Sequence, residues 1–335
     1  MSLFVRQRQP VLGPMLELPW ASGAVFNPGA WYDGERVHLL FRAVAAGYRR
    51  VRLPQSRPYE AAFGFEPYVS CIGYAWSTDG VHFTVHPEPV LRPEEPYERF
   101  GVEDPRIARF GDRYLITYTA LGRPAFEVPG GVRIALAATR DFLGIEKWGL
   151  IGPDHTDKDA VLFPRPIGGR IGLLHRIAPS IQLAWFDSLE ALRHPPAHYW
   201  GDHLRELERH TILRPEFPWE AKKIGAGPTP IETEHGWLLL YHGVDARHVY
   251  RMGAALLDRE DPSRVVARSP IPLLEPELDF ERHGDVPNVV FPQGAVVLGD
   301  ELYVYYGAAD KRIGLARAPL DAVLSWLLDV CVLKG

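Results

Sequence analysis

Two cysteines, Cys71 and Cys331, are all that the 335 residues contain. That is too few for a disulfide framework and fits buried thiols in a reducing compartment. No apolar run approaches the length of a membrane span, and the opening MSLFVRQRQPVLGP holds none long enough for a signal peptide. The expectation is a cytoplasmic protein with no membrane partner. Nor is there a basic stretch: the net charge is −5, so the footprint of a nucleic-acid binder is missing. The His, Asp and Glu residues show no ligand spacing, and no metal is expected. Long helical patterns are scarce, because 31 prolines and 31 glycines punctuate the chain. Apolar side chains are plentiful at 46%, ample for a large core without disulfides or metals.

What is present repeats. Five segments share a proline, a short apolar stretch, a glycine-containing turn and an alternating apolar strand. They are NPGAWYDGERVHLLFRA (27–43), DPRIARFGDRYLITYTA (104–120), FPRPIGGRIGLLHR (163–176), GPTPIETEHGWLLLYHG (227–243) and FPQGAVVLGDELYVYYGAAD (291–310). Each reads as a β-hairpin, with turns such as Asp33-Gly34, Gly111-Asp112 and Gly168-Gly169 supplying the positive φ a tight turn needs. Further strand-like runs follow at Tyr68–Trp76, Val132–Ala138, Ile181–Phe186 and Met252–Leu257. Four-stranded units at a regular period describe an all-β, five-bladed β-propeller occupying residues 1–335 as one domain. A β-sandwich could contain similar hairpins, but five matched segments favour the propeller. LDAVLSWLLDV (320–330) spaces its apolar residues helically and reads as a short C-terminal helix, and WGDHLRELER (200–209) as a second short one. The loop from Ala45 to Pro67, rich in Arg, Tyr and Pro, is expected to overhang one face.

In a propeller blade the first strand lines the channel and the second returns antiparallel beside it. The start of the first strand and the end of the second therefore share one face. Reading both places in every repeat collects Asn27, Arg42, Asp104, Arg106, His175, Arg176, His242 and Asp310, with Lys158, Asp159 and Lys223 just before the third and fourth hairpins. Each has a packing role available: Asp104 could cap a turn before Pro105, Arg42 or Arg176 could close an ion pair, and His242 could be a hydrogen-bonded core residue. Charge recurring at the same strand ends in blade after blade argues for a ligand, since desolvated Lys and Arg are costly without a partner. A concave site with convergent charges is the expected active site.

GVEDPRI (101–107), KDAVLFPR (158–165), LLHR (173–176), KIGAGPTPI (223–231), LLYHGV (239–244), GAALLD (253–258), NVVFPQG (288–294) and YYGAAD (305–310) resemble glycoside hydrolase family 130. The resemblance runs in order from about Asn27 to Asp310. It implies β-mannoside phosphorylases, with a minority of β-mannosidases, on the same five-bladed fold. It also implies roles. Asp104 matches the catalytic general acid, whose proton reaches the glycosidic oxygen through the 3-hydroxyl of the mannosyl unit. Lys158, Arg176, His242 and Tyr250 match a phosphate-holding cluster, and Asn27, Arg42, Lys223 and Asp310 match sugar-contacting positions. Arg106 and Asp159, from the strand-end reading, complete the substrate-binding set. HRIAPS (175–180) departs from the HRP expected after the third hairpin, which leaves the neighbouring sugar site undefined.

Physical logic favours a phosphorylase. An inverting hydrolase needs an acid and a second carboxylate to activate water. Phosphate is already an anionic nucleophile and needs cationic clamping and in-line placement instead. The expected activity is inverting phosphorolysis of β-mannosides to α-mannose 1-phosphate, with inorganic phosphate as co-substrate and no cofactor. The alternatives are a β-mannosidase of the same family and a non-catalytic sugar-binding propeller. Five-bladed arabinan and fructan hydrolases place a carboxylate just before the first-blade proline, where this chain has Asn27, and no Trp-Asp strand ends recur as in WD repeats. Linkage and leaving-group sugar stay open: β-1,4- or β-1,2-linked mannooligosaccharides, mannosyl-glucose or mannosyl-N-acetylglucosamine. The resemblance is compatible with a homo-oligomer.

Overall fold

Each of the five hairpins forms part of the inner half of an antiparallel sheet in the computed structural model, which describes residues 3–52, 63–123 and 131–331. Blade one pairs Ala24–Tyr32, Val37–Val44, Ser70–Ser77 and Thr84–Val85 in that order. Blade two is Val102–Phe110, Arg113–Leu121, Val132–Thr139 and Glu146–Leu150, and blade three Lys158–Leu162, Ile171–Arg176, Ile181–Phe186 and Thr211–Leu213. In blade four Lys223–Ala226 and Ile231–Thr233 both pair with Gly236–Val244, followed by Tyr250–Leu257 and Val265–Arg268. Blade five runs Val290–Leu298, Glu301–Ala308 and Arg312–Pro319, and its outer strand is Val5–Arg6 from the other end of the chain. That closure of the ring was not legible beforehand, because a two-residue strand carries no periodicity.

Blades three and four begin earlier than the proline-led pattern places them. Pro28, Pro105 and Pro292 sit inside innermost strands, beside register shifts where the missing N–H costs no ladder bond. Pro164 and Pro228 instead follow the ends of Lys158–Leu162 and Lys223–Ala226, where proline stops the ladder. Lys158, Asp159 and Lys223 therefore lie within innermost strands rather than ahead of them.

The helix Leu320–Val330 forms as expected and buries Val323, Leu324 and Leu327 against blades four and five. The 200–209 pattern becomes two short helices, Tyr199–Arg205 and Leu207–His210. Part of the 45–67 loop is a ribbon, Arg49–Arg52 paired with Phe63–Glu66; residues 53–62 of that loop lie outside the described set. Among the described residues, five large apolar clusters each fill one interface between adjacent blades, as the twist of face-to-face sheets requires.

A second repeat accompanies the strands. Leu91-Arg-Pro-Glu94, Leu213-Arg-Pro-Glu216 and Leu274-Glu-Pro-Glu277 are each followed four residues later by a fully buried glutamate: Glu98, Glu220 and Glu281. Each glutamate accepts two backbone N–H groups of the incoming loop, from residues 94 and 95, 216 and 217, and 277 and 278. Each also accepts a tyrosine hydroxyl from the second strand: Tyr118 at 2.7 Å, Tyr241 at 3.0 Å and Tyr306 at 2.6 Å. A cation completes each unit, namely Lys147, Arg268 and Arg6. Buried charge is tolerated here because every acceptor oxygen is paired.

Candidate active site

Three residues at matching places in the first three blades share a left-handed backbone: Asn27 (φ 48°), Asp104 (φ 52°) and Asp159 (φ 54°). Asn and Asp are the side-chain-bearing residues that adopt this conformation most readily. At each, the ladder to the second strand slips by one residue. The slip aims the three side chains toward the axis instead of along the sheet. Asp310, at the end of blade five's second strand, is also left-handed (φ 50°).

Two walls result. On the side of blades five, one and two, Asn27 Nδ2 donates to Asp104 Oδ1 at 2.9 Å, and an Arg42 NH1 contact reaches the same oxygen at 3.5 Å. Arg42 also pairs closely with Glu103 and donates to the Tyr68 hydroxyl at 3.2 Å, so the base of the 45–67 loop reaches the site. Glu103 is buried; that burial pushes its carboxyl up, against the pull of Arg42 and of Lys158 at 3.8 Å. Burial pushes Asp310 up to about 7, helped by Asp104, Asp285 and Glu103 and opposed by Arg42.

The wall of blades three and four is cationic. Lys158 and Arg176 are register partners across the first two strands of blade three, with side chains 24% and 10% exposed. Arg176 pairs with Asp159 at 2.7 Å. Burial opposes ionisation of Asp159, but Arg176, His242, Arg106 and Lys158 together hold it well below the usual carboxylate range. Lys223 sits over the Tyr250 ring at 5.5 Å and has no carboxylate partner among the described residues. Burial first, then Arg176 and Lys158, push its ammonium well below its ordinary pKa. Lys223 thus stands with Arg176 and Lys158, not on the opposite wall.

Three sequence expectations change. Arg106 and Asp159 do not line the rim. Arg106 is enclosed, donating to the Gly227, Asp104 and Ala226 carbonyls at 2.8–3.1 Å and to Asp159 at 3.2 Å. With Gln293, which donates to the Asn27 and Pro105 carbonyls, it floors the channel beneath the site. His175 does not face the site at all. Its neighbour Arg176 does, and successive side chains on a strand alternate, so His175 points into blade three. His242 lies wholly buried 3.3 Å from Arg176, its Nδ1 without a partner among the described residues; burial pushes its pKa well down, so it is neutral. It stacks near Tyr250 (6.0 Å) and Phe291 (4.4 Å).

The close approach of blade four depends on Gly225: a Cβ there would lie 2.3 Å from Asp159 Oδ2 and 2.5 Å from His242 Cε1. Beside it, at the HRIAPS departure, the Pro179 carbonyl accepts the Ile224 N–H at 2.9 Å and ties blade three to blade four. Sequence reasoning missed Glu103 and Gln293, which the strand-end rule skips because they flank the bulges. Among the described residues no three His, Cys, Asp or Glu side chains are grouped to hold a metal, and no helix is long and apolar enough to cross a membrane.

A family model described as beta-1,4-mannooligosaccharide phosphorylase matches residues 15–329. The chain belongs to glycoside hydrolase family 130. Among its family 130 relatives, a 1,2-beta-oligomannan phosphorylase of Thermoanaerobacter sp. is 40% identical over 309 residues, 92% of this chain and 94% of that protein. A beta-1,2-mannobiose phosphorylase of the same organism is 42% identical over 310 residues, again 92% and 94%. The solved Listeria innocua beta-1,2-mannobiose phosphorylase in complex with beta-1,2-mannobiose superposes with a TM-score of 0.77 at 30% identity, covering 97% of this chain and 99% of that one. The family 130 propeller is thus the fold that the hairpin repeat implied.

Proposed function

We propose that this family 130 protein is a phosphorylase that cleaves β-mannosides with inorganic phosphate, β-1,2-linked mannobiose and short oligomannans foremost. The observation that carries the reading is the gathering of Lys223, Arg176 and Lys158 on one wall: the half-buried Lys223 lies over the Tyr250 ring with no carboxylate partner among the described residues, crowded by the other two cations. Such a cluster is unfavourable until a multiply charged anion fills it. The alternative, a β-mannosidase, needs a carboxylate free to activate water. Glu103 and Asp159 are buried and engaged by cations.

The chemistry follows from the two walls. Phosphate held by Lys158, Arg176 and Lys223, with Tyr250 beside it and neutral His242 bracing Arg176, presents an oxygen to C1 of the mannosyl unit. The new C1–O bond forms as the glycosidic C1–O bond breaks on the opposite face. A proton from Asp104, relayed through the mannosyl 3-hydroxyl as the resemblance implies, neutralises the departing oxygen. Configuration inverts, giving α-mannose 1-phosphate. Asn27 and Arg42 hold Asp104 Oδ1, leaving Oδ2 without a partner among the described residues and open toward the sugar. Asp310, across from the cations, fits a sugar hydroxyl as donor or acceptor. The preference for β-1,2 linkages rests on the relatives at 40–42% identity, against 34% for a beta-1,4-mannooligosaccharide phosphorylase of Ruminococcus albus.

The test is a comparison of Asp104→Asn with the wild type on β-1,2-mannobiose and on a dinitrophenyl β-mannoside, both with phosphate. A general acid contributes about 10²- to 10⁴-fold when the leaving group needs a proton and little when it does not. The variant should lose that factor on mannobiose and keep most activity on the activated mannoside. Equal loss on both would refute the acid role.

A further inference from the structure

Every blade is introduced by an apolar-x-Pro triplet: Leu12-Gly-Pro, Leu91-Arg-Pro, Ile151-Gly-Pro, Leu213-Arg-Pro and Leu274-Glu-Pro. Blades two, four and five continue into the glutamate–tyrosine–cation unit described above. Blade three does not. Its acidic residue is Asp157, one residue closer to the triplet than Glu98, Glu220 or Glu281 is to its own, and the tyrosine position of its second strand holds His175. Tyr118, Tyr241, Tyr306 and His175 each stand immediately before the second-strand residue that pairs with the site end of the innermost strand: Thr119 with Glu103, His242 with Gly225, Gly307 with Phe291 and Arg176 with Lys158.

The exchange changes what the carboxylate holds. In the other three blades the glutamate fixes backbone of the incoming loop. Asp157 Oδ1 instead accepts the backbone N–H of Arg176 at 3.1 Å, while its Oδ2 takes His175 Nδ1 at 2.8 Å. His175 Nε2 lies 2.9 Å from His203 Nε2, and the His203 ring stacks on His210 at 4.1 Å. No Lys or Arg pairs with Asp157 among the described residues, although Asp157 and His175 are fully buried and His203 nearly so. Burial first, then His175 and His210, push His203 down to about 3, so its ring is neutral and carries one N–H. A consistent proton inventory has His203 Nε2–H donating to His175 Nε2 and His175 Nδ1–H donating to Asp157. The chain of donors converges on the carboxylate that fixes Arg176, one residue before Lys158.

We infer that Asp157, His175 and His203 are positioning residues for anion binding: they set the backbone from which Arg176 and Lys158 reach the phosphate. The inference rests on the proposed phosphorylase reading. It gives this unit a task that its three counterparts lack: among the described residues their glutamates accept backbone N–H groups from residues 94, 95, 216, 217, 277 and 278, none of them at the site. Placement of both cations then depends on a hydrogen-bonded chain ending at the Tyr199–His210 helical segment, outside the site.

Steady-state kinetics with phosphate and β-1,2-mannobiose varied separately test it. His175→Phe removes the donor to Asp157; loss of one charge-assisted hydrogen bond corresponds to about a tenfold or greater effect. The expected result is a rise of that size in KM for phosphate, with KM for mannobiose changed by less than about threefold. His175→Asn keeps a donor at the Nδ1 position and should recover most of the phosphate affinity. His203→Phe, which cuts the chain further out, should give a smaller rise in the same constant and carries the test if His175→Phe does not fold. Tyr306→Phe breaks the counterpart in blade five and should lower Tm without changing either KM. Parallel movement of both KM values in the histidine variants, or a selective phosphate effect in Tyr306→Phe, would overturn the inference. Wild-type turnover that ignores phosphate would instead overturn the phosphorylase reading.

Discussion

Asn27 and Asp104 occupy the same place in successive blades, share a left-handed backbone, and are joined by a 2.9 Å hydrogen bond from Asn27 Nδ2 to Asp104 Oδ1. One orients the other. The Asn27 carboxamide is packed so closely that a Cβ on Gly307 would fall 1.8 Å from its Oδ1, which leaves it little freedom to rotate. Asn27→Ala should therefore lower kcat by about ten- to a hundredfold, the worth of a hydrogen bond to a charged group. KM for phosphate should scarcely move. A rapid-mix or coupled assay of mannose 1-phosphate release reads both constants.

Lys223 carries an opposite signature. Its desolvation beside Arg176 and Lys158, with no carboxylate partner among the described residues, disfavours the charged form, and an anion relieves that cost. Lys223→Met should melt above the wild type in phosphate-free buffer. Added phosphate should raise Tm of the wild type, because a ligand at a hundred times its Kd stabilises by about 2.7 kcal/mol. The variant should respond much less, which differential scanning fluorimetry across a phosphate series will show.

Asp310 gives a pH dependence of defined sign. Its carboxyl is raised from 3.8 to about 7 in the folded protein. Between those values the unfolded chain has released the proton while the folded protein retains it, so stability falls as pH rises through that window and levels off above it. Asp310→Asn mimics the protonated form. The difference in Tm, variant minus wild type, should grow from about pH 4 to pH 7 and then flatten. A difference independent of pH would remove Asp310 as the source.

Gly225 tests the packing of the cationic wall. A methyl group there meets Asp159 and His242 within 2.5 Å, and both belong to the network that holds Arg176. Gly225→Ala should fold, with phosphate affinity reduced about tenfold or more and a smaller effect on the mannoside, as measured by initial rates.

Much of this architecture could be read from the chain, for reasons particular residues make plain. Asp33-Gly34, Gly111 and Gly168-Gly169 announce hairpin turns through their need for positive φ, and the hairpins carried the blade count. Leu320–Val330 was legible because its apolar residues follow a helical period. Asp104, Arg42, Lys158, Arg176 and Lys223 were found because strand ends on one face must converge. Depth was not legible. Arg106 and His242 occupy the right strand ends yet are enclosed, Arg106 as part of the channel floor and His242 behind Arg176. His175 was misplaced by one residue of strand alternation. Val5–Arg6 gave no warning, because its partner lies more than three hundred residues away. The Leu-x-Pro-Glu-x-x-x-Glu repeat was present in plain letters, but its meaning lies in a tyrosine some twenty residues on.

The most direct measurement is to incubate the protein with β-1,2-mannobiose in ¹⁸O-water, with and without inorganic phosphate, and to follow the products by mass spectrometry and NMR. Phosphorolysis predicts α-mannose 1-phosphate free of ¹⁸O, formed only when phosphate is present. Free mannose carrying ¹⁸O, released at the same rate in both incubations, would contradict the account and make the cationic wall of Lys158, Arg176 and Lys223 something other than a nucleophile site.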